Sequence, residues 1–447
     1  MSYRPVRGMR DLVGRDALLQ QRVEDAVRAA AEKFGYLPLF TPGVESFELL
    51  SAKGAAGEDI KDEVYYFRDK SNRELGLRFE FTASLARVAA ASQLRLPYKR
   101  YQIGEVYRYD RPQAQRYRAF DQADLDILGV AGKQAELELM LVVKEVLSTL
   151  NLEAKVKFNS RKLLQGVLEK FAKGKEVEAM RSIDKLDKMP EEEVKKELKG
   201  KGIDPEVLDF IKKNSLEDVA KIEGVKYSDG LKEVNEFLTM VEENKLDFVE
   251  FDLSLARGLE YYTGLVFEIK VEKGPSIGGG GRFDRLVELY GGQPTPAVGI
   301  SFGISRIFDY LKEKGDKIVL DGVFLFGLGV PYGKVLSAAK SLRDRGIKVE
   351  EDLTGKNISK NLDFAQSKGY KYAGIIGENE AKKKAITIKN LETGEQKTLS
   401  IPKAAELLKK GDKENPWLVK VEEFRKLMEE KAREKAKKKS LKKEKKK

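Results

Sequence analysis

The sequence predicts an α+β fold built from a large antiparallel sheet, an inserted helical module and a separate α/β domain. Three observations support this prediction. Residues 99–129 alternate polar and apolar side chains, as two paired strands do. Residues 154–247 are rich in Lys and Glu and poor in aromatic residues, which favours surface helices. Residues 320–410 alternate apolar strands with amphipathic helices, a pattern typical of an α/β domain.

Length and charge divide the chain into four expected segments. A chain of 447 residues has room for about three folded domains. We expect a first domain at residues 1–153 and 248–318, a helical insertion at 154–247, an α/β domain at 319–410 and a basic extension at 411–447. Residues 431–447 contribute +9 of the net charge of +11, so the folded part is nearly neutral. This tail is either an RNA-binding arm or a solubilising end.

The individual elements follow from periodicity and from turn residues. Apolar residues at helical spacing predict helices at 16–34, 82–93 and 134–150, and Gly35 is the expected C-cap of the first. Alternation and flanking turn residues predict strands at 36–40, 63–68, 75–80, 248–255 and 259–270. In the last domain we expect strands at 323–331, 347–352, 372–377, 385–390 and 396–401, with helices at 332–346 and 359–369.

Composition excludes several kinds of chemistry. The chain contains no Cys and no His, so it has no disulfide, no thiol nucleophile and no imidazole base or metal ligand. Any hard metal ion must therefore be held by oxygen atoms. No apolar run reaches the roughly 18 to 20 residues of a membrane span, and the N-terminus lacks an apolar signal region. We expect a cytoplasmic protein that does not associate with membranes.

The second strand of the central hairpin carries an unusual polar face. Arg118, Phe120, Gln122, Asp124 and Asp126 share this face, and the neighbouring strand has Gly104 where a ligand could approach closely. One interpretation is a solvated sheet face with ion pairs. The other is a site for a zwitterion beside a phosphate, in which acids bind an ammonium group and Arg binds phosphoryl oxygens.

Other candidate features lie outside the hairpin. The glycine run at 278–281 is neither a P-loop nor a dinucleotide fingerprint, because no GK[ST] or GxGxxG pattern accompanies it. It is either a flexible turn or a backbone pressed against a flat ligand. Arg257, in an apolar stretch, is either a surface charge or a ligand for phosphate or carboxylate. Arg306 lies at a helix start, where a salt bridge is the simplest interpretation.

These segments together resemble the histidyl-tRNA synthetase family of class II aminoacyl-tRNA synthetases, in its archaeal and eukaryotic form. GMRD at Gly8 and YLPLFTPGVES at Tyr36 are similar to the start of the family and its first motif. LRFEFT and GEVYRYDRPQAQRYRAFDQADLD are similar to its LRxE/DxT segment and second motif. LARGLEYYTGLVFE is similar to its histidine-specific segment, and GGRFD with AVGISFGISR to its third motif. The similarity covers residues 1–410 in family order.

The resemblance implies a fold and a reaction. The fold is a class II catalytic domain on an antiparallel sheet, followed by an α/β anticodon-binding domain. The reaction is adenylation of histidine by ATP, with Mg²⁺ bridging the phosphates, and then transfer of histidine to tRNA(His). Alignment and charge stabilisation are sufficient for this chemistry, which needs no His or Cys.

The resemblance also assigns roles to residues. Arg108 and Arg257 are expected to hold the α-phosphate and the reacting carboxylate, and Arg306 the γ-phosphate. Glu80, Thr82 and Gln122 are expected to bind the α-ammonium group, and Asp126 with Tyr262 to read the imidazole. The candidates for contacting the tRNA end or ATP are Arg111, Gln113, Arg116 and Arg118. The family places its first motif at a two-fold interface, which implies a homodimer.

Three positions depart from the family pattern. Phe283 stands where the family usually has Tyr, and Ser305 stands where Glu is common. Asp126 replaces the Glu of bacterial members and is shorter by one methylene. None of these changes removes a charged catalytic group, so activity is still expected.

The competing interpretations assign the chain to different classes of protein. Another class II synthetase, for prolyl, glycyl or threonyl transfer, is the nearest, although the threonyl type needs a His/Cys zinc site that this chain cannot build. A non-catalytic paralogue, either regulatory or RNA-binding, would lack the anticodon domain and often the motif arginines, whereas Arg108, Arg257 and Arg306 are all present. A simple RNA-binding protein would explain the basic tail but not the polar face of the hairpin.

Overall fold

The structure is a computed structural model that describes most of the chain. The described residues are 3–52, 63–109, 116–187, 189–213, 215–222, 225, 228–256, 261–315 and 319–413. Their contacts define two compact units. The first comprises Met1–Asp11, Gln20–Leu147 and Leu152–Lys314, and the second comprises Leu12–Leu19, Ser148–Asn151 and Gly315–Lys447.

The chain up to residue 314 contains eleven described strands and twelve described α-helices. The strands are β1 Leu37–Pro38, β2 Val44–Ser46, β3 Tyr66–Arg68, β4 Glu74–Leu77, β5 Tyr98–Tyr107, β6 Ala119–Leu128, β7 Ala154–Ser160, β8 Val249–Phe251, β9 Leu265–Val271, β10 Ser276–Arg282 and β11 Ala297–Phe302. The helices are α1 Arg15–Lys33, α2 Phe47–Ser51, α3 Thr82–Ala91, α4 Gln134–Thr149, α5 Arg161–Ala172, α6 Glu176–Ile183, α7 Glu191–Gly200, α8 Glu206–Lys213, α9 Leu216–Val219, α10 Asp229–Glu243, α11 Leu286–Leu289 and α12 Ile304–Glu313. A 3₁₀ turn at Asp184–Asp187 follows α6.

An eight-stranded sheet organises the first unit. Its strand order is β1-β5-β6-β11-β10-β9-β7-β8, and β2, β4 and β3 form a smaller antiparallel sheet. The edge pairs β1/β5 and β7/β8 are parallel, and every other neighbouring pair in the large sheet is antiparallel. The predicted hairpin is β5/β6, paired from Tyr98 opposite Leu128 to Tyr107 opposite Ala119. The two-residue period of the sequence therefore predicted this pairing correctly.

The two faces of β6 have different neighbours. Ala123, Leu125 and Ile127 are buried on the face that also carries Asp121. The Asp121 carboxylate accepts a hydrogen bond of 2.6 Å from the Gln20 side chain of α1. Since α1 lies on this side, the site residues of β6, which alternate with these, point to the opposite face.

Ser305 has a structural role at the end of β11. Its hydroxyl accepts a hydrogen bond of 3.1 Å from the Asp121 backbone N–H, close to where β11 has ended. The side chain is buried, and it satisfies a backbone donor that would otherwise have no strand partner. This contact accounts for a small hydroxyl residue at a position where the family often has Glu.

The predicted helical insertion begins with a strand. Residues 154–160 form β7, which pairs antiparallel with β9 in the large sheet, and the helices α5 to α10 follow it. Val156 and Phe158 are fully buried and alternate with Lys155 and Lys157, a two-residue period that the high Lys content concealed. The Phe158 ring contacts the Phe237 ring of α10 at 4.9 Å between centroids. The prediction that residues 154–160 belong to a helical module is therefore wrong.

Strands near the insertion are shorter than expected. β8 covers Val249–Phe251 and β9 starts at Leu265, whereas the sequence predicted strands at 248–255 and 259–270. The glycine run is not a turn, because residues 278–281 lie within β10 and pair with β9 on one side and β11 on the other. Glycine is depleted in strands generally, so its presence here reflects close neighbours.

The second unit is an α/β domain with a five-stranded sheet. Its elements are β12 Leu320–Gly327, α13 Tyr332–Arg343, β13 Val349–Glu351, α14 Ile358–Lys368, β14 Tyr370–Ile376, α15 Glu378–Lys383, β15 Ala385–Asn390, β16 Gln396–Ser400 and α16 Ile401–Lys413. The order is β13-β12-β14-β15-β16, parallel in the first three strands and antiparallel in the last two pairs. Two helices were not predicted: α15, which buries no residue, and α16, in which Ala404, Ala405 and Leu408 are buried. The basic tail at 431–447 lies outside the described residues.

Candidate active site

Three side chains of β6 form the centre of the candidate site. Gln122, Asp124 and Asp126 point to one face of the sheet and are 7%, 5% and 3% exposed. Their partners across the ladder are Gly104, Gln102 and Arg100 of β5. A solvated sheet face would leave these groups exposed, so that interpretation is wrong for this face. Side chains this polar are buried where they are paired or where they bind a ligand.

Asp124 is held by its neighbours on the sheet. The Gln122 side-chain amide donates to its carboxylate at 2.8 Å. Burial raises the pKa of Asp124 and nearby Glu80 raises it further, whereas Arg100 and a hydrogen bond with Ser301 oppose the shift. Asp124 and Glu80 thus lie close to each other in a buried part of the site, an arrangement that a cationic group would stabilise.

Asp126 forms a buried ion pair. Arg100 Nη2 lies 2.6 Å from Asp126 Oδ2, and the Arg100 side chain is completely buried. The two atoms are close enough for an ion pair, but their angles do not fit a good hydrogen bond. Gly299 of β11 is paired with Asp126, and a Cβ there would overlap Asp126 Oδ1. Glycine at 299 thus leaves the space that the carboxylate occupies.

Two further predicted residues lie at the start of α3. Glu80 and Thr82 are both buried, and the Thr82 hydroxyl donates to the Glu80 carboxylate at 3.3 Å. Glu80 is close enough to Asp124 and to Tyr261 to raise the pKa of each. The structure therefore brings Glu80 to the same face as the acids of β6.

Tyr261 and Tyr262 cover one end of this face. Their ring centroids are 4.8 Å apart, and a Cβ at Gly281 would approach the Tyr262 ring to 2.8 Å. Glycine at 281 therefore leaves the space that the Tyr262 ring and the Leu265 carbonyl occupy. Phe283 is buried and contacts Tyr261 edge-on at 6.0 Å between ring centroids. Phe283 lies in an apolar cluster, where a tyrosine hydroxyl is not needed.

A network of buried charges holds the segment that carries the two tyrosines. Arg282 makes two contacts with Glu136, of 2.6 Å from Nε and 2.7 Å from Nη2, and Glu136 is fully buried. Lys133 pairs with Glu233 of α10 at 3.2 Å, and the Ser160 hydroxyl also donates to Glu233. The backbone of Thr263 donates to the Arg282 carbonyl at 2.7 Å. The residues after Tyr262 are thereby fixed to β10.

The predicted arginines differ in their surroundings. The Arg108 guanidinium lies over the rings of Phe79 and Phe120, 4.6 Å and 5.2 Å from their centroids, and its Nε donates to the Phe79 carbonyl. Arg118 lies over the Tyr109 ring at 4.2 Å. The exposed Arg306 donates to the Ser276 carbonyl at 2.8 Å. Arg116 is described and partly buried, whereas Arg257, Arg111 and Gln113 lie outside the described residues.

Sequence reasoning missed two residues of this face. Arg100 and Tyr261 were not assigned to the site, although both lie against residues that were. Asp124 was placed on the face but was given no role of its own. The signal for Arg100 was the two-residue period, which places it on the polar face of β5. Tyr261 adjoins Tyr262 in sequence, and only tertiary structure shows that it lies near Glu80.

The described residues show neither a metal-binding cluster nor a membrane-spanning helix. No group of three or more acidic side chains in the described ranges has the arrangement of a metal site. No described helix is both long and apolar enough to cross a membrane.

An antiparallel sheet with buried acids and amides on one face, followed by an α/β domain, defines a class II aminoacyl-tRNA synthetase with an anticodon-binding domain. A family model described as histidyl-tRNA synthetase matches residues 8–307, and one described as an anticodon binding domain matches residues 331–411. The chain belongs to the histidyl-tRNA synthetase family.

Similar proteins cover nearly the whole chain. "Histidine--tRNA ligase 1" of Bacillus cereus is 34% identical over 419 residues, which cover 89% of this chain and 97% of that protein. "Histidine--tRNA ligase" of Methanocaldococcus jannaschii is 35% identical over 420 residues, with coverages of 89% and 98%. A crystal structure of histidyl-tRNA synthetase from Nostoc sp. PCC 7120 has a TM-score of 0.78 at 25% identity and covers 92% of this chain and 99% of its own.

Proposed function

We propose that the buried polar face of β6 binds histidine in this enzyme, whose family reaction is the ATP-dependent attachment of histidine to tRNA. The observation that carries the proposal is the charge of the face. Glu80, Asp124 and Asp126 are all buried, and Arg100 lies 2.6 Å from Asp126. Three carboxylates buried in one part of the sheet suit a ligand with an ammonium group and a ring N–H donor.

Different residues bind different parts of the amino acid. Glu80, Thr82 and Gln122 bind the α-ammonium group, supported by their burial around Asp124. Asp126 and Tyr262 recognise the imidazole, because a carboxylate accepts a hydrogen bond from a ring N–H. A pocket of this kind discriminates strongly against amino acids with apolar side chains, since these would leave the buried polar groups of the pocket unpaired.

Arginines bind the phosphate side. Arg108 and Arg257 hold the α-phosphate and the histidine carboxylate, and Arg306 holds the γ-phosphate. The carboxylate oxygen attacks the α-phosphorus, the bond to pyrophosphate breaks, and histidyl-adenylate forms. The stacked position of Arg108 supports its role, because a guanidinium fixed between two rings needs little reorganisation. Mg²⁺ enters on the phosphates of ATP, as part of that substrate.

The second step uses the tRNA. A hydroxyl of the terminal ribose attacks the adenylate carbonyl, and AMP leaves. Arg111, Gln113, Arg116 and Arg118 contact the tRNA end or ATP, and the α/β domain at residues 319–410 binds the anticodon. We assign residues 1–160 and 248–318 to the catalytic domain and 161–247 to the insertion. The role in protein synthesis supports a cytoplasmic location.

ATP–pyrophosphate exchange with each of the twenty amino acids supplied singly tests this assignment. We expect exchange with histidine alone, because the pocket pairs ring N–H groups with a carboxylate. Exchange with another amino acid would leave the assignment of the fold unchanged but would contradict the roles proposed for Asp126 and Tyr262. A lack of exchange with all of them would favour the non-catalytic paralogue.

We also propose a homodimer that involves the segment around β1 and β2. Leu37, Phe40 and Val44 are 62%, 87% and 42% exposed, which is unusual for neighbouring large apolar residues. Exposed apolar side chains that lie close together are typical of an interface.

The dimer proposal predicts a mass change. Wild-type protein should sediment at twice the chain mass of 50.4 kDa, and Phe40→Asp should shift it toward the monomer because a charge would be buried at the interface. Val177→Asp, a matched change at another exposed apolar residue, should leave the mass unchanged. A wild-type monomer in sedimentation equilibrium would refute the proposal.

A further inference from the structure

Arg100 is the most deeply buried charged side chain of the polar face. Its side chain has no solvent exposure, and Nη2 lies 2.6 Å from Asp126 Oδ2. Its charge also acts on Asp124, where it opposes the effect of burial. Within the described residues, Arg100 Nε and Nη1 make no hydrogen bond. The guanidinium thus lies against Asp126, acts on Asp124 through its charge, and retains donors that the described protein groups do not use.

A buried arginine of this kind requires a reason. Burying an ion pair is often no better for stability than a well-packed apolar pair, so stability alone does not explain it. Arginine stays protonated in proteins, so it supplies a positive charge that does not depend on pH. A carboxylate beside it is favoured in its ionised form, which accepts hydrogen bonds and cannot donate them.

We infer that Arg100 is a specificity-determining positioning residue, which keeps Asp126 a hydrogen-bond acceptor and thereby makes the pocket select a ring N–H. This inference rests on the proposed binding of histidine by Asp126. A protonated carboxyl group would instead donate to an unprotonated ring nitrogen, so the pocket would accept a different tautomer or a different ring. Arg100 acts through Asp126 and need not touch the substrate.

Other charged and titratable groups face this pair. Asp124 lies next to it on β6, and Glu80 acts on Asp124 from the start of α3. The charge of Asp126 contributes to raising the pKa of Tyr36, which lies between α1 and β1. The charge of Asp124 contributes in the same way to the pKa of Tyr261. Lys99 lies over the Tyr36 ring at 4.8 Å, whereas Arg100 Nη2 lies 2.6 Å from Asp126 Oδ2, so Arg100 places its charge directly against this carboxylate.

The test compares Arg100→Met, which removes the charge at similar volume, with Arg100→Lys, which keeps it. In histidine-dependent pyrophosphate exchange, Arg100→Met should raise KM for histidine roughly 10- to 100-fold with a much smaller change in kcat. Its KM should also rise as the pH falls from 9 to 6, more steeply than that of the wild type, because Asp126 then takes up a proton. Arg100→Lys should recover most of the wild-type KM.

Histidine analogues give a second readout. 1-Methylhistidine and 3-methylhistidine each carry a methyl group on one ring nitrogen and can donate only from the other nitrogen, in the imidazolium form. The wild type should reject the analogue whose methylated nitrogen faces Asp126. Arg100→Met should reduce this discrimination. If KM, its pH profile and analogue discrimination are all unchanged in Arg100→Met, the inference is overturned.

A double-mutant cycle keeps the inference testable if Arg100→Met folds poorly. If Arg100 acts through Asp126, Arg100→Met/Asp126→Asn should have the same KM as Asp126→Asn, so the two effects should not add. Additive effects would overturn the inference. Wild-type exchange that is not specific for histidine would instead show that the proposed function fails, before any variant is compared.

Discussion

Arg108→Ala is expected to reduce kcat/KM for histidine-dependent pyrophosphate exchange by about 10²- to 10³-fold. The guanidinium lies over the rings of Phe79 and Phe120 and donates to the Phe79 carbonyl, so its position is set before substrate binds. A donor fixed in this way stabilises charge that develops on the α-phosphate, and alanine removes both the donor and its positive charge. Steady-state exchange kinetics at saturating ATP and at saturating histidine measure the loss.

Two comparisons make this result specific. Arg285→Ala removes an arginine whose side chain is 77% exposed, and it should leave exchange within about two-fold of wild type because such a group contributes little. Arg257→Ala should lose activity as Arg108→Ala does, if the family role holds. Full exchange activity in Arg108→Ala would contradict the assignment of the phosphate side.

Glu136→Ala is expected to destabilise the first unit by about 3–5 kcal/mol. The change leaves the Arg282 guanidinium, only 3% exposed, without the carboxylate that it contacts at 2.6 Å. Asp284, 3.0 Å from Arg282 Nη1, remains as a partner but is 37% exposed, so it offsets only part of the desolvation of the buried guanidinium. Urea unfolding followed by fluorescence should show the corresponding transition at a lower midpoint than in the wild type.

Two control variants distinguish the cost of leaving a charge buried without its partner from the cost of losing an ion pair at the surface. Glu74→Ala breaks the exposed pair with Arg68, where both side chains are about half exposed, and should cost about 1 kcal/mol or less. Arg282→Met/Glu136→Leu removes both charges and should be less destabilised than Glu136→Ala alone. Equal shifts for Glu136→Ala and Glu74→Ala would show that the buried pair has no special role.

Local patterns accounted for much of the fold. The period of two in residues 99–129 predicted the β5/β6 hairpin and the shared face of Gln122, Asp124 and Asp126, because strand side chains alternate whatever surrounds them. The strand and helix alternation of the last domain was predicted for the same reason. In β7 the same period was present, but a composition dominated by Lys and Glu led to the wrong prediction of a helix.

The sequence by itself determined the family, the hairpin and the exclusion of Cys and His chemistry, since these depend on residue types and local periodicity. Tertiary structure alone decided that Arg100 is buried against Asp126, that Arg282 pairs with Glu136 and that the glycine run lies within a strand. These contacts join residues 26 and 146 positions apart in the first two cases. The energy of a buried charge depends on what surrounds it in space, and a linear pattern does not contain that information.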